Sequence, residues 1–225
     1  MSEPTRDAPK MRELPAPRDN PSAIGPLFKW VFTWPFRFAL AGIIRSRLRP
    51  WVLTVLSLVT SAVAAAMIVT GAWFVPGLLL IPAGVFDVFD GAVARHRGEE
   101  SRFGAFLDSV MDRVADVLLF GAIYWSLASQ DRRLEAGLAL AALVISLAVS
   151  HLRAEGEAHG VKMNEGLFQR LERYVALMIG LTAPGAMLPV LIVLVGLGGL
   201  TVLQRLVGAW TRLPPRKSDK TPLSA

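Results

Sequence analysis

The chain contains no cysteine. That absence removes disulfides, thiolate zinc sites and cysteine nucleophiles from the available chemistry. Charge is missing over a long stretch as well, since from Trp51 to Phe86 there is no Asp, Glu, Lys, Arg or His. This run is long enough for more than one membrane crossing, and Gly71-Ala-Trp-Phe-Val-Pro76 in its middle supplies the break. With 53% hydrophobic residues in a chain of 225 and a mean hydropathy of +0.46, the sequence reads as an integral membrane protein. The N-terminal residues 1–22 are Pro-rich, mixed in charge and lack an apolar core, so they read as neither a signal peptide nor a foldable unit. The tail 211–225 reads the same way, and both ends are expected to be disordered and cytoplasmic.

A net charge of +6 and a pI near 10.3 would point to nucleic acid in a soluble protein. Here the basic residues flank apolar segments, which makes membrane lipid the partner and leaves nucleic acid none. Six spans are expected, roughly 50–72, 75–95, 103–127, 135–155, 168–184 and 187–208. Lys and Arg gather before the first span, between the second and third, between the fourth and fifth, and after the sixth, whereas the alternate connections carry only Arg132 and Arg133. The positive-inside rule then puts both termini on the cytoplasmic side of the inner membrane. Within residues 23–48, Leu27, Trp30, Val31, Trp34 and Phe38 recur at helical periods among Lys29, Arg37, Arg45 and Arg47. This predicts an amphipathic helix lying in the interface, because as a span it would bury Lys29 and Arg37 in hydrocarbon and be interrupted by Pro26 and Pro35. The expected fold is therefore an all-α integral membrane protein of six transmembrane helices, residues 49–210, preceded by that interfacial helix.

What the chain does have, at the edge of hydrocarbon, is four aspartates. Asp87 and Asp90 stand at i and i+3, Asp108 and Asp112 at i and i+4, so each pair shares one helix face. An ionised Asp in a membrane costs several kcal/mol, about 3 by insertion scales, so a cluster of four is a functional site by default. Two such faces brought together make an all-oxygen site suited to magnesium rather than zinc. Asp116 extends the second face by one turn, where an internal ion pair with Arg113 competes with a metal-binding reading.

The eight positions Asp87, Asp90, Gly91, Ala94, Arg95, Gly104, Asp108 and Asp112 form the pattern Asp-x-x-Asp-Gly-x-x-Ala-Arg-x8-Gly-x3-Asp-x3-Asp without gap or substitution. At this point the chain resembles the CDP-alcohol phosphotransferase family. The resemblance implies a homodimeric membrane enzyme that moves a phosphatidyl group from CDP-diacylglycerol to the hydroxyl of an acceptor, with release of CMP. It implies two Mg2+ ions, for which Mn2+ can substitute, held by Asp87, Asp90, Asp108 and Asp112, with Asp112 also the general base. It assigns Gly91, Ala94, Arg95, Ser101, Gly104, Pro50 and Thr54 to the donor. Ser101 can equally cap the third span, and Gly91 and Gly104 are expected to let the nucleotide or a neighbouring helix approach.

The acceptor must be read from the second half. Ser150-His-Leu-Arg153-Ala-Glu-Gly-Glu157 and Gly166-Leu-Phe-Gln-Arg170-Leu-Glu-Arg173 resemble the phosphatidylinositol phosphate synthase branch, which implies a polyol phosphate bound by Ser150, Arg153, Arg170 and Arg173. Inositol phosphate is the expected acceptor and glycerol phosphate the alternative. Membrane-surface anchoring is the competing account of the three arginines. His151, Glu155 and Trp51 depart from the branch pattern, and a carboxylate at Glu155 facing the acceptor would favour a different alcohol. A magnesium transporter or channel is the rival class, because intramembrane carboxylates also line ion paths.

Overall fold

A computed structural model of the chain describes residues 37–38, 40–45, 48–161 and 170–213. The expected disordered N-terminal residues 1–22, residues 214–225 of the expected disordered tail, most of the expected interfacial helix and the segment 162–169 lie outside the described residues, whereas Thr211 and Arg212 of that tail continue the last helix. Six helices follow the helical residues 40–45: α1 Pro50–Val69, α2 Phe74–Arg97, α3 Arg102–Ser129, α4 Arg133–Ala158, α5 Arg170–Thr182 and α6 Met187–Arg212. No strand occurs among the described residues.

The local sequence accounts for the boundaries. Pro50 starts α1 at a position where its missing N–H is no loss. Gly71, at φ +87°, turns the chain into α2, and Gly98, at φ +65°, ends that helix in the left-handed conformation that glycine adopts without strain. Ser101 caps α3 by accepting from the Gly104 N–H at 2.9 Å.

Helix neighbours form a closed ring in the order α1, α3, α4, α6, α5, α2 and back to α1. Close approach is possible where a side chain is absent. At Gly77 on α2 an added Cβ would stand 2.6 Å from Thr182 Cγ2 and 2.9 Å from Leu181 Cβ of α5. The ring interior is filled by Leu80, Leu119, Phe120, Ile123, Leu127, Leu177 and Leu191 with many alanines. Polar groups are also inside, Asp90, Asp116, Ser146, Arg173 and Arg205 among them, while Val63, Ile81, Val144, Ile192 and Val207 face outward. An apolar exterior around a partly polar interior is the pattern of a protein solvated by lipid.

Helices α1, α2, α4 and α6 are long and apolar enough to cross a membrane. The first half of α3 carries Arg102, Asp108, Asp112, Arg113 and Asp116, and α5 has 13 described residues. Ahead of α1, buried Leu40 packs with Leu53, Phe89, Ala92 and Val93, and Arg97 donates to the backbone oxygens of Leu48 at 2.5 Å and Ile44 at 3.2 Å. The segment before the bundle is thereby tied to the helix that carries Asp87 and Asp90.

Candidate active site

Helices α2 and α3 both pack on α1 but do not touch one another in the ring. Their carboxylates reach across that gap. One oxygen each from Asp87, Asp90 and Asp108 lies within 4.8 Å of the others. Asp90 is fixed twice, because Thr54 Oγ1 of α1 donates to its Oδ2 at 2.6 Å and the Gly91 N–H donates to its Oδ1 at 2.5 Å. Asp108 Oδ1 is buried and accepts no hydrogen bond. Three converging carboxylates, one with an orphaned oxygen, fit a hard divalent cation that takes oxygen ligands. These residues would hold it, and it would supply positive charge against a bound phosphate.

Asp112 stands outside that trio. Its carboxylate pairs with the Arg170 guanidinium, whose Nη1 also meets Asp87 Oδ1 at 2.9 Å. Arg170 lies 5.4 Å over the Tyr174 ring, which holds it in place. One guanidinium cannot balance four carboxylates, so the site keeps an unmet demand for cations.

Behind the aspartates a cavity of about 380 Å³ opens between α3, α4, α5 and α6. Asp108 and Asp112 form one wall, and Arg113, Arg153, Arg170, Arg173 and Arg205 bring five guanidinium groups to it, with Ser109, Ser150 and Glu157. All four acceptor residues expected from the sequence line this cavity. Arg113 and Arg205 were missed. Arg205 is 3% exposed and donates to the Val149 backbone oxygen at 2.5 Å, a contact across a sequence gap that no local pattern announces. Arg113 donates to Ser109 and, at 3.3 Å, to the Ser150 backbone oxygen.

Several expectations require correction. Asp116 does not pair with Arg113; it faces inward and takes Arg173 Nη2 at 3.1 Å and Ser146 Oγ at 2.5 Å. Arg173 is therefore a buried ion-pair partner as well as a cavity wall, not a free cation at a helix end. Arg153 is paired too, with Glu157 at 3.0 Å. Neither Gly91 nor Gly104 meets a neighbouring helix. A Cβ at Gly91 would come within 3.2 Å of the Arg95 guanidinium one turn along, and at Gly104 within 3.0 Å of Ser101 Oγ, so the nearest atoms at each are local side chains. Glu155 turns toward His159, 3.6 Å away, and neither it nor His151 lines the cavity. The reversed charge does not face the basic pocket.

Of the expected donor residues, Thr54 joins the aspartates, and Pro50 opens α1 one turn earlier. Ser101 and Gly104 form the α3 cap. Ala94 is half-buried and Arg95 exposed at the end of α2.

The sequence model for CDP-alcohol phosphatidyltransferases matches residues 47–210. The chain belongs to that family. It is a transferase of phospholipid synthesis, and the transporter reading falls away. Phosphatidylinositol phosphate synthase of Corynebacterium glutamicum is 36% identical over 190 residues, spanning 81% of this chain and 87% of that one. Archaetidylinositol phosphate synthase of Methanothermobacter thermautotrophicus is 35% identical over 166 residues, spanning 72% and 83%. The crystal structure of Mycobacterium tuberculosis phosphatidylinositol phosphate synthase with CDP-DAG bound superposes with a TM-score of 0.70 at 31% identity, covering 77% of this chain and 92% of that one. The same enzyme in complex with manganese and citrate gives 0.70 at 30% identity, covering 82% and 97%.

Proposed function

We propose that this enzyme transfers a phosphatidyl group from CDP-diacylglycerol to inositol phosphate and releases CMP. The observation that carries the reading is the five-arginine cavity directly behind Asp108 and Asp112. A free alcohol has no use for five guanidinium groups, whereas a phosphate monoester takes several charge-assisted, bidentate hydrogen bonds. Ser109, Ser150 and Glu157 on the same walls suit the hydroxyls of a polyol. The names of the similar enzymes support inositol phosphate over glycerol phosphate, and Glu155, turned away from the cavity, puts no carboxylate against a phosphorylated acceptor.

In this reading Asp87, Asp90, Asp108 and Asp112 hold two Mg2+ ions, with Mn2+ able to replace them; bound there, the ions would neutralise the donor's pyrophosphate. Gly91, Ala94, Arg95, Ser101, Gly104, Pro50 and Thr54 serve the donor. The acceptor phosphate rests on Arg153, Arg170, Arg173 and Ser150, with Arg113 and Arg205 behind, so that a ring hydroxyl is turned toward Asp112. An Asp112 carboxylate oxygen takes the hydroxyl proton as the new oxygen–phosphorus bond forms on the phosphatidyl phosphorus. The bond from that phosphorus to the bridging oxygen breaks, and CMP leaves with the electron pair. Arg170, bonded to both Asp87 and Asp112, keeps the base and the metal-binding carboxylates in register.

Helices α3 and α5 complete a six-span bundle over residues 49–210, with an interfacial helix within 23–48. Both termini and the active site face the cytoplasm at the inner membrane, supported by the distribution of Lys and Arg. A homodimer is part of the reading, on the family resemblance alone.

Competition between acceptors is the test. With equal concentrations of inositol phosphate and sn-glycerol 3-phosphate, the ratio of the two lipid products reports the ratio of kcat/KM values. The inositol lipid should exceed the glycerol lipid by at least about 10²-fold, because glycerol leaves polar groups of the pocket without ring hydroxyls to pair with, a deficit that reaches about 10⁴ to 10⁵ where such groups are fully buried. Equal products, or an excess of the glycerol lipid, would assign the pocket to the smaller polyol.

A further inference from the structure

We infer that Asp116, together with Ser146, is a positioning residue that aims Arg173 at the acceptor phosphate; the inference rests on the acceptor-pocket reading above. Three helices meet at this point, with Asp116 on α3, Ser146 on α4 and Arg173 on α5. The three residues are 3%, 1% and 8% exposed. Asp116 lies one turn beyond Asp112 on the same face, deeper than the aspartates that surround the reaction. Both of its recorded hydrogen bonds fall on Oδ2, which accepts from Ser146 Oγ at 2.5 Å and from Arg173 Nη2 at 3.1 Å.

Arg173 thus spends one nitrogen at the rear. Its buried Nε donates to nothing, although the side chain lines the cavity. Because the side chain lines the cavity and Asp116 holds it through Nη2, other donors of the planar group are left for a phosphate oxygen. The Asp116 carboxylate has two effects on it. It supplies the countercharge that lets an arginine remain buried before the acceptor arrives. It also pins the planar group by one corner, so that the remaining donors have a fixed direction. Ser146 in turn fixes the carboxylate. Arg153, Arg170 and Arg205 line the same cavity, and without the anchor their like charge would drive Arg173 from its place. Local sequence offers Arg113 as the partner of Asp116; only the packing of α5 against the bundle reveals Arg173.

Steady-state kinetics of the purified full-length enzyme in detergent, with CDP-diacylglycerol and inositol phosphate varied in turn, test the inference through Asp116→Asn, Ser146→Ala, Arg173→Ala and the double variant of Asp116→Asn with Arg173→Ala. Asp116→Asn should raise the acceptor KM about ten-fold and leave the donor KM within about two-fold. In the Arg173→Ala background the same change should raise the acceptor KM no further, since it acts only through that guanidinium. Ser146→Ala removes a single hydroxyl, and should still raise the acceptor KM two-fold or more, about the effect of one lost hydrogen bond; it decides the matter if Asp116→Asn does not fold. A lowered melting temperature with an unchanged acceptor KM, or additive effects in the double variant, would reduce Asp116 to a packing role. No change in acceptor KM for Arg173→Ala itself would overturn the pocket reading, and this inference with it.

Discussion

Each aspartate in this site is distinguished by what else touches it. Asp90 has protein donors on both oxygens, Asp87 shares Arg170 with Asp112, and Asp108 keeps one buried oxygen with no donor. The four identical side chains therefore have different tasks. Asp108→Asn should lose both Mn2+ binding and transfer, because the amide lacks the negative charge and one of the two oxygens with which Asp108 would hold the cation. Asp112→Asn should lose on the order of 10² to 10⁴ in turnover and still bind CDP-diacylglycerol, as removal of a general base does. Equilibrium binding of Mn2+ and of the donor, measured beside CMP release, separates the two. An Asp112→Asn protein that binds no donor would make that residue chiefly a metal ligand. At this scale the sequence was informative about identity and silent about partners. Spacing put Asp87 with Asp90, and Asp108 with Asp112, on shared helix faces, since the i, i+3 and i, i+4 rules act within one helix; it does not bring one helix's pair to the other's. It could not pair Asp116 with Arg173, 57 residues away, or bring Arg205 to Val149, 56 residues away, because those contacts exist only once the ring has closed.

Among the helices, the distribution of glycine separates packing from solvation. Gly77 is wedged against α5, where the nearest atoms include Leu181 Cβ at 2.9 Å and the Met178 backbone oxygen at 3.3 Å, neither of which moves cheaply. Gly121 has nothing within 4 Å of an added Cβ. In detergent, Gly77→Leu should lower stability by about 1 to 3 kcal/mol, the usual cost of overpacking a close contact. Gly121→Ala should leave stability unchanged or raise it by up to about 1 kcal/mol. Thermal unfolding of the two variants measures the contrast, and equal melting temperatures would mean that α2 and α5 are not packed through Gly77. The apolar runs and the Pro and Gly breaks between them were enough to expect six helical segments near their observed positions. Ring order was not legible, because helices uniformly apolar over most of their length carry little facial pattern from which to choose neighbours.

Across the whole molecule, polarity runs opposite to that of a soluble protein, with carboxylates and guanidinium groups in the interior and valine, leucine and isoleucine outside. Burying these charges is costly unless they are paired or offset by ligands. Asp116 with Arg173, and Arg170 with Asp87 and Asp112, are such pairs. Carboxylates gather at Asp87, Asp90 and Asp108 and guanidinium groups in the arginine cavity, side by side. A cation-assisted pyrophosphate donor would suit the first, and a phosphorylated acceptor the second. That division was half legible in the sequence, where the aspartate motif stood out and the arginines could also be read as membrane anchors. The most direct measurement is made on purified enzyme supplied with CDP-diacylglycerol, Mg2+ and inositol phosphate, with CMP and the lipid product quantified together by mass spectrometry. The account predicts equal amounts of CMP and of a phosphatidylinositol lipid that retains the acceptor's own phosphate, with none formed from free inositol or serine. CMP release with a free alcohol but none with inositol phosphate would contradict it.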